Sequence, residues 1–186
     1  MTAAIVLIVV LVVIAAIGVS IFNRFVANRN QVKDAWSNID VALKQRHDLI
    51  PNLVNTVKGY ATHEQETLEQ VIQARNAAVA VPTGEVNKQI EAEGQLQATL
   101  GKLFALSESY PDLKANENFL QLQDKLTEVE AGLEKRRRYY NGTVRQNNTF
   151  GESFPGVLFA GFGFERFDYF EAAEHERENV TVDFSS

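Results

Sequence analysis

Residues 45–60, QRHDLIPNLVNTVKGY, place three consecutive ionisable side chains and a proline within an apolar pattern of helical spacing. Arg46, His47 and Asp48 could form a proton-transfer or metal-binding cluster, because histidine and carboxylate side chains serve both purposes. Pro51 lacks the backbone N–H that a helix interior uses, so it frees a carbonyl oxygen one turn earlier and kinks the helix axis. The stretch is therefore a catalytic cluster, a metal site or a kink in a structural helix.

The rest of the chain offers little to complete an active site. Dimetal sites in helical bundles use Glu-x-x-His spacing, but lysine, tyrosine and alanine stand three residues before His47, His63 and His175. The absence of cysteine excludes thiolate nucleophiles and zinc–sulfur sites. Neither a Gly-x-Ser-x-Gly motif nor a glycine-rich phosphate loop occurs. We therefore expect a protein that is not an enzyme, with no catalytic residue, no metal and no cofactor.

Arg46 instead belongs to a helical packing pattern. Apolar residues around it recur at alternating intervals of four and three, and Arg136 occupies a similar place in a second such series. A buried arginine requires acidic or carbonyl partners, because an unpaired buried charge is severely destabilising. The two series are Val32, Trp36, Ile39, Leu43, Ile50, Leu53 and Val57, and Phe119, Leu122, Leu126, Val129, Leu133 and Tyr140.

This pattern predicts a structural polar cluster at a kink. We expect Arg46 and Arg136 to form polar crosslinks in a helical bundle, with Asp40 or Asp48 as acidic partners. The carbonyl oxygen near His47 that Pro51 leaves without a helix hydrogen bond is a further acceptor for an arginine. The predicted cluster contains Arg46, His47, Asp48, Pro51 and Arg136.

The elements that carry these residues are predicted to be helices. Two shorter helical segments lie between the two series, with breaks at 82–84 and 110–111. Helices of this kind joined by short loops are typical of an antiparallel bundle of about four helices. The fold prediction is all-α, with residues 24–149 forming the bundle and residues 150–186 forming an aromatic- and glycine-rich segment followed by an acidic tail.

The N-terminal residues 1–23 carry no charged side chain. As a helix they would span roughly 33 Å, enough to cross a hydrocarbon core of about 30 Å. A cleaved signal peptide would need a basic start and a shorter apolar run, so we expect a retained transmembrane anchor. No glycine or proline occurs from 19 to 50, which predicts one helix continuing from the membrane into the bundle. Ile5, Leu11, Ile17 and Phe22 are the apolar residues expected to lie along the membrane span.

Flanking charge predicts the orientation of this anchor. Nothing basic precedes the span, whereas Arg24, Arg29 and Lys33 follow it. The positive-inside tendency therefore places the N-terminus outside and the bundle in the cytoplasm. The lipid bilayer is the first expected partner.

The segment 150–170 holds seven of the twelve phenylalanines and four glycines. Two interpretations remain open: a clasp that fills one end of the bundle, or a contact with another subunit or with the membrane interface. The candidate interface residues are Phe154, Phe159, Phe162, Phe164, Phe167 and Phe170.

Charge is concentrated at the C-terminus. Residues 165–186 contain seven acidic residues against Arg166 and Arg177, and they supply −5 of the net charge of −6. The remainder is nearly neutral, which argues against nucleic acid as a partner. The basic run 135–138 is either a solvated helix turn with Arg136 facing inward or a patch for anionic lipid or an acidic partner.

Four stretches, NRNQVKDAWSNIDVALKQRHDLIPNLVNTVKGYATHE, YPDLKANENFLQLQDKL, RRRYYNGTV and FPGVLFAGFGF, resemble the LemA family in order and spacing along nearly the whole chain. The resemblance implies an N-terminal membrane helix with its N-terminus outside, a cytoplasmic bundle at the inner membrane and no established enzymatic reaction. It also implies a link to membrane organisation. One departure is Asn147-Asn148, where the family usually has a second Tyr-Asn.

The expected function is accordingly a single-pass membrane-anchored scaffold or adaptor. It would form homo-oligomers or recruit other membrane proteins at the cytoplasmic membrane face. The alternative is a regulatory binding module for a membrane protease, a transporter or a peptide, with recognition carried by the acidic tail or by the bundle.

Overall fold

The structure, a computed structural model, describes residues 1–170. Within that range every regular element is helical and there is no strand, so the all-α prediction is confirmed. His175 and most of the acidic tail lie outside the described residues. The elements are α1 Thr2–Lys58, α2 Gln65–Val79, α3 Val86–Ser107, α4 Pro111–Lys114, α5 Glu117–Glu152 and a 3₁₀ helix Gly156–Phe162.

Helix α1 is continuous from Thr2 to Lys58 and passes through Pro51 without ending. The predicted continuation of the apolar run into the bundle is therefore confirmed. Apolar side chains are exposed as far as Val19, and burial begins at Ile21. Among the described residues, α1 is the one helix whose length and composition suffice to cross a membrane.

The chain forms two compact units, and each combines segments that are distant in sequence. The first contains residues 1–39 and 135–169. The second contains residues 40–134 and Phe170 among the described residues. Helices α1 and α5 each contribute to both units.

The second unit has a core built from apolar side chains spaced three or four residues apart on each helix. Short turns connect the helices. Gly84 adopts a φ of 95° between α2 and α3, which a residue with a Cβ rarely adopts. The Asn116 side chain accepts a hydrogen bond from the Phe119 N–H at 3.0 Å and thereby caps the start of α5. Fully buried core members include Ile50, Leu53, Val57, Val71, Leu96, Leu103, Leu113 and Phe119.

The first unit pairs α1 with the C-terminal half of α5 in antiparallel fashion. The rings of Trp36 and Tyr140 have centroids 5.4 Å apart, and those of Phe25 and Phe150 are 5.1 Å apart. Higher numbers on α1 thus meet lower numbers on α5, as an antiparallel pair requires. Val32 and Val144 are also fully buried in this unit.

Candidate functional site

The side chain of Arg46 is buried in the second unit and surrounded by acceptors. Its Nη1 donates to Glu93 Oε2 at 2.9 Å, and its Nη2 donates to Gln97 Oε1 at 3.1 Å. Its Nε lies 2.8 Å from Glu130 Oε1. Glu93 is as buried as Arg46, whereas Glu130 is about one-third exposed. The guanidinium therefore joins α1 to α3 through hydrogen bonds and to α5 through an ion pair. We call these residues, with His47 and Gln89, the Arg46 network.

Glu93 is the centre of the Arg46 network. Its Oε1 faces His47 Nε2 at 2.7 Å and accepts from Gln89 Nε2 at 2.9 Å. Burial opposes ionisation of this carboxyl, but the His47 hydrogen bond and the Arg46 charge outweigh it, so the pKa of Glu93 lies below its usual value. An ionised carboxylate only accepts hydrogen bonds, so His47 Nε2 carries the proton in this contact.

Both oxygens of Glu93 are engaged inside the network, and this arrangement favours a structural role over catalysis. Gln89, Glu93 and Gln97 are spaced four residues apart on α3 and so share one helix face. A buried ion pair adds little net stability, but the loss of one partner leaves a buried charge at a cost of roughly 3–5 kcal/mol. The network therefore favours one alignment of α1, α3 and α5 over others.

Pro51 and the carbonyl oxygen of His47 lie one turn apart on α1. Because Pro51 has no N–H, it cannot donate to that oxygen, which is the one four residues earlier. Arg75 Nε of α2 donates to it at 3.3 Å. An arginine does meet this carbonyl oxygen, as expected, and it is Arg75.

The acidic partners expected for Arg46 were wrong. Asp48 is exposed and pairs with Lys44 at 2.5 Å, and this hydrogen bond lowers the pKa of Asp48. Asp40 is half-buried, and burial raises its pKa. The cause is geometric, since residues two or six positions away point to other sides of a helix. The partners of Arg46 come instead from other helices.

The expected crosslink through Arg136 was also wrong, because its side chain is exposed. After Leu133 the buried positions of α5 continue at Tyr140 and Val144, with Arg137 half-buried between them. A straight helix of 3.6 residues per turn drifts by about 20° per heptad from a 3.5-residue pattern. Counting in strict heptads therefore points to Arg136, whereas the half-buried residue is its neighbour Arg137.

In the first unit, side chains of α5 hold the chain that follows the 3₁₀ helix. Asn147 Nδ2 donates to the Glu165 carbonyl oxygen at 2.7 Å. Asn148 donates to the Phe167 carbonyl oxygen at 2.8 Å and accepts from the Phe167 N–H at 3.2 Å. The Tyr140 hydroxyl donates to the Asp168 carbonyl oxygen at 3.0 Å.

In the sequence, Asn147-Asn148 stands out only as a departure from the family pattern. Both asparagines are buried, and their amide groups satisfy backbone groups of residues 165–167. The sequence carries no signal for this contact, because it does not show that these asparagines are buried and must find hydrogen-bond partners. Burial also raises the pKa of Tyr140 to about 12.

The six candidate interface phenylalanines occupy different environments. Phe170 is buried, and Phe159, Phe164 and Phe167 are half-buried. The Phe164 ring centroid lies 5.9 Å from that of Phe25, and the ring covers Gly151 so closely that a Cβ there would overlap it. Phe154 and Phe162 are exposed. The segment is thus partly packed against its own chain and partly uncovered.

The four residues chosen to mark the span, Ile5, Leu11, Ile17 and Phe22, are all exposed on α1. No charged side chain lies between them. An exposed apolar helix surface of this length matches a lipid environment better than water.

A groove of about 530 Å³ lies between α1 and α2 in the second unit. Val54 and Leu68 are buried in its wall, while Lys58, Glu69 and Gln73 are exposed around it. It is a concave surface that a peptide or small ligand could use, and the sequence does not reveal it.

The profile of the LemA family matches residues 35–184, which is most of the chain. The chain belongs to the LemA family. The match covers the Arg46 network and the α5 segment that holds residues 165–168. The resemblance of the quoted motifs to LemA proteins is therefore confirmed.

Individual relatives agree with this assignment. Protein LemA of Metamycoplasma hominis is 28% identical over 137 residues, covering 74% of this chain and 59% of that protein. Magnetosome protein MamQ 2 of Paramagnetospirillum magneticum is 25% identical over 175 residues, covering 81% of this chain and 64% of that protein. Magnetosome protein MamQ of Magnetospirillum gryphiswaldense is 23% identical over 174 residues, covering 80% of this chain and 64% of that protein.

The chain spans about three-fifths of the length of these curated relatives. LemA family membership and the MamQ relatives indicate a membrane-associated helical protein.

Proposed function

We propose that this LemA family chain is a single-pass membrane-anchored scaffold or adaptor that self-associates or recruits other membrane proteins at the cytoplasmic face of the inner membrane. The observation that carries the proposal is α1, one helix that begins in an exposed, charge-free apolar run and ends in the core of the second unit. Such a helix ties the bundle directly to the bilayer. The membrane organisation implied by the family resemblance is included in this proposal.

The Arg46 network supports a role without catalysis. Its arginine, histidine and carboxylate groups are the strongest chemical cluster that the sequence offered, and they bind one another. We propose that the chain is not an enzyme and acts through its surfaces.

The orientation can be tested by cysteine labelling, because the chain has no cysteine of its own. A membrane-impermeant maleimide applied to intact cells should label Thr2→Cys and leave Val41→Cys unlabelled until the cells are permeabilised. Both positions are exposed, so access to the reagent decides the result. Labelling of Val41→Cys in intact cells would contradict a cytoplasmic bundle.

Self-association can be tested by crosslinking in intact membranes. A scaffold should yield defined oligomers whose size is unchanged when the expression level is reduced. A chain that remains monomeric in membranes would contradict self-association and leave recruitment of other membrane proteins as its role.

The groove between α1 and α2 favours a second candidate function, a regulatory module that binds a peptide or a segment of a membrane protease or transporter. The groove combines buried apolar side chains with exposed charged ones, as binding grooves commonly do. A module of this kind should lose its partners with Gln73→Arg, which alters an exposed residue of the groove. If the acidic tail carries recognition, ending the chain after Phe170 should remove the partners instead. Oligomers of a scaffold should survive both changes.

A further inference from the structure

The 3₁₀ helix and the residue before Pro155 display large apolar side chains. Phe154 is 80% exposed, Leu158 is 65% exposed and Phe162 is 75% exposed, and Val157 is half-exposed. No charged residue occurs from 153 to 164. Water-soluble surfaces rarely carry such a contiguous cluster, which therefore marks a binding surface. We call Phe154, Val157, Leu158 and Phe162 the aromatic tip.

Two contacts place the 3₁₀ helix beside the apolar run of α1. A Cβ built on Gly18 would lie 3.5 Å from the Phe159 ring, and one built on Gly163 would lie 3.2 Å from the Phe22 ring. Both contacts involve residues 18–22, within the last apolar turns of α1. At a rise of 1.5 Å per residue, Gly18 lies about 9 Å along the helix from Arg24, the first charged residue after the run.

We propose that the aromatic tip is a second membrane contact, which inserts into the lipid leaflet from which α1 enters the cytoplasm. This inference rests on the proposed membrane anchor. If residues 1–23 cross the bilayer, the 3₁₀ helix lies at the depth of Gly18. Interfacial segments bury their apolar side about 5–10 Å below the headgroup boundary, which agrees with that depth.

The backbone of the aromatic tip suits an apolar environment. Backbone N–H and C=O groups must be hydrogen-bonded locally where lipid replaces water. The Val157 N–H donates to the Ser153 carbonyl oxygen at 2.9 Å, and the Leu158 N–H donates to the Pro155 carbonyl oxygen at 3.2 Å. At the other end, the Phe164 N–H donates to the Ala160 carbonyl oxygen at 3.2 Å.

Charged residues appear on both sides of the aromatic tip and pair with each other. Arg166 Nε lies 3.1 Å from Glu152 Oε1, and Lys33 Nζ lies 3.5 Å from Glu165 Oε2. The Arg24 guanidinium lies 4.7 Å from the centre of the Phe150 ring. Charges and an arginine–aromatic contact next to an uncharged segment are typical of the boundary between headgroups and acyl chains. This continuity with the span favours lipid over a protein partner.

The test uses single cysteines carrying a nitroxide label in the full chain, reconstituted in vesicles of phosphatidylethanolamine and phosphatidylglycerol. Leu158→Cys reports on the aromatic tip, and its exposure means that the substitution leaves packing intact. Ile8→Cys is the reference within the span. Val41→Cys is the matched control, an exposed apolar position of α1 well beyond the apolar run. The measurement compares how often the nitroxide collides with molecular oxygen, which is concentrated in lipid, and with a water-soluble nickel complex.

The proposal expects Leu158→Cys to favour oxygen as Ile8→Cys does, whereas Val41→Cys favours the nickel complex. A Leu158 label that favours nickel, while the Ile8 label favours oxygen, would overturn the aromatic tip as a lipid contact and leave the anchor intact. A nickel-accessible Ile8 label would overturn the anchor and the tip together. Dipolar broadening between Leu158 labels with little access to either reagent would show that a second copy covers the tip, which also overturns the proposal.

Discussion

The two ends of α1 belong to one helix but have opposite surfaces. In residues 2–20 the apolar side chains are exposed and no charge occurs, whereas in residues 40–58 most apolar side chains are buried, with Val41 as an exposed exception, and charges line the outside. The buried Arg46 of the second stretch is paired with Glu93 and Glu130. This difference indicates that the surface of residues 2–20 is suited to lipid and that of residues 40–58 to packing against protein. Four changes test this comparison.

The largest effect is expected from Arg46→Ala at the protein-facing end. Removing the guanidinium leaves Glu93 buried without its cation, and we expect a loss of roughly 3–5 kcal/mol in the free energy of unfolding. Denaturant unfolding of the full chain in detergent micelles, followed by circular dichroism, measures this. Lys44→Ala removes an exposed ion pair on the same helix and should change the midpoint little. Equal midpoints for R46A and the unchanged chain would instead indicate an arginine free to act in function.

The second-largest effect is expected when lysine replaces an exposed apolar residue at one end of α1 and not at the other. Leu11→Lys places a charge at the middle of the apolar run, at a cost of about 3 kcal/mol for membrane insertion. Val41→Lys places the same charge on a water-facing surface and should be nearly neutral. The fraction of each variant that resists alkaline extraction from membranes is the readout. Equal retention of the two variants would remove the distinction between the ends of α1.

A smaller effect is expected where Phe164 covers α5. Gly151→Ala sets a methyl group against the Phe164 ring, and overpacking of this kind costs about 1–3 kcal/mol. Gly142→Ala is the matched control, because its Cβ would meet open space within the same helix and should stabilise α5 by about 0.5–1 kcal/mol. Trp36 is the single tryptophan and lies in the first unit, so its fluorescence follows unfolding there. A stabilising G151A would show that residues 163–169 do not pack as described.

The smallest effect is the pH dependence that Glu93 of the Arg46 network contributes to stability. The pKa of Glu93 is lowered in the folded chain, so its stabilising contribution is complete above its unfolded pKa and is lost as pH falls through the folded value. Unfolding measured from neutral to acidic pH should show this loss, and Glu93→Gln should reduce it. The pKa of Asp40 is raised in the folded chain, so protonation of Asp40 at acidic pH favours the folded state and partly offsets the loss from Glu93. Asp40→Asn removes this offset and should make the loss of stability at acidic pH steeper. A pH profile unchanged by E93Q would contradict the assigned charge of Glu93.

Local patterns in the sequence predicted part of this structure. The spacing of apolar residues identified the helices and the position of Arg46 on a packed surface. The chemistry of Pro51 predicted that an arginine would meet a freed carbonyl oxygen near His47. These features depend on neighbours within one or two helix turns, which periodicity describes well.

The partners across the bundle could not be predicted in the same way. Glu93, Glu130 and Arg75 lie far from Arg46 and His47 in the chain, and their contacts depend on how each helix is rotated about its axis. The drift of α5 from a heptad pattern exposes Arg136 for the same reason. Asn147 and Asn148 hold a segment without periodicity, so no repeating pattern pointed to their role.

A scan of single nitroxide-labelled cysteines along α1, from Ile5 to Val41 in phospholipid vesicles, tests the central claim most directly. We expect oxygen accessibility to dominate as far as Phe22, and one helical periodicity to continue without interruption from the lipid-facing end into residues 24–41. Nickel accessibility at Ile5, Leu11 and Ile17, or a break in the helical period between Asn23 and Ile39, would contradict a single helix that ties the bilayer to the bundle.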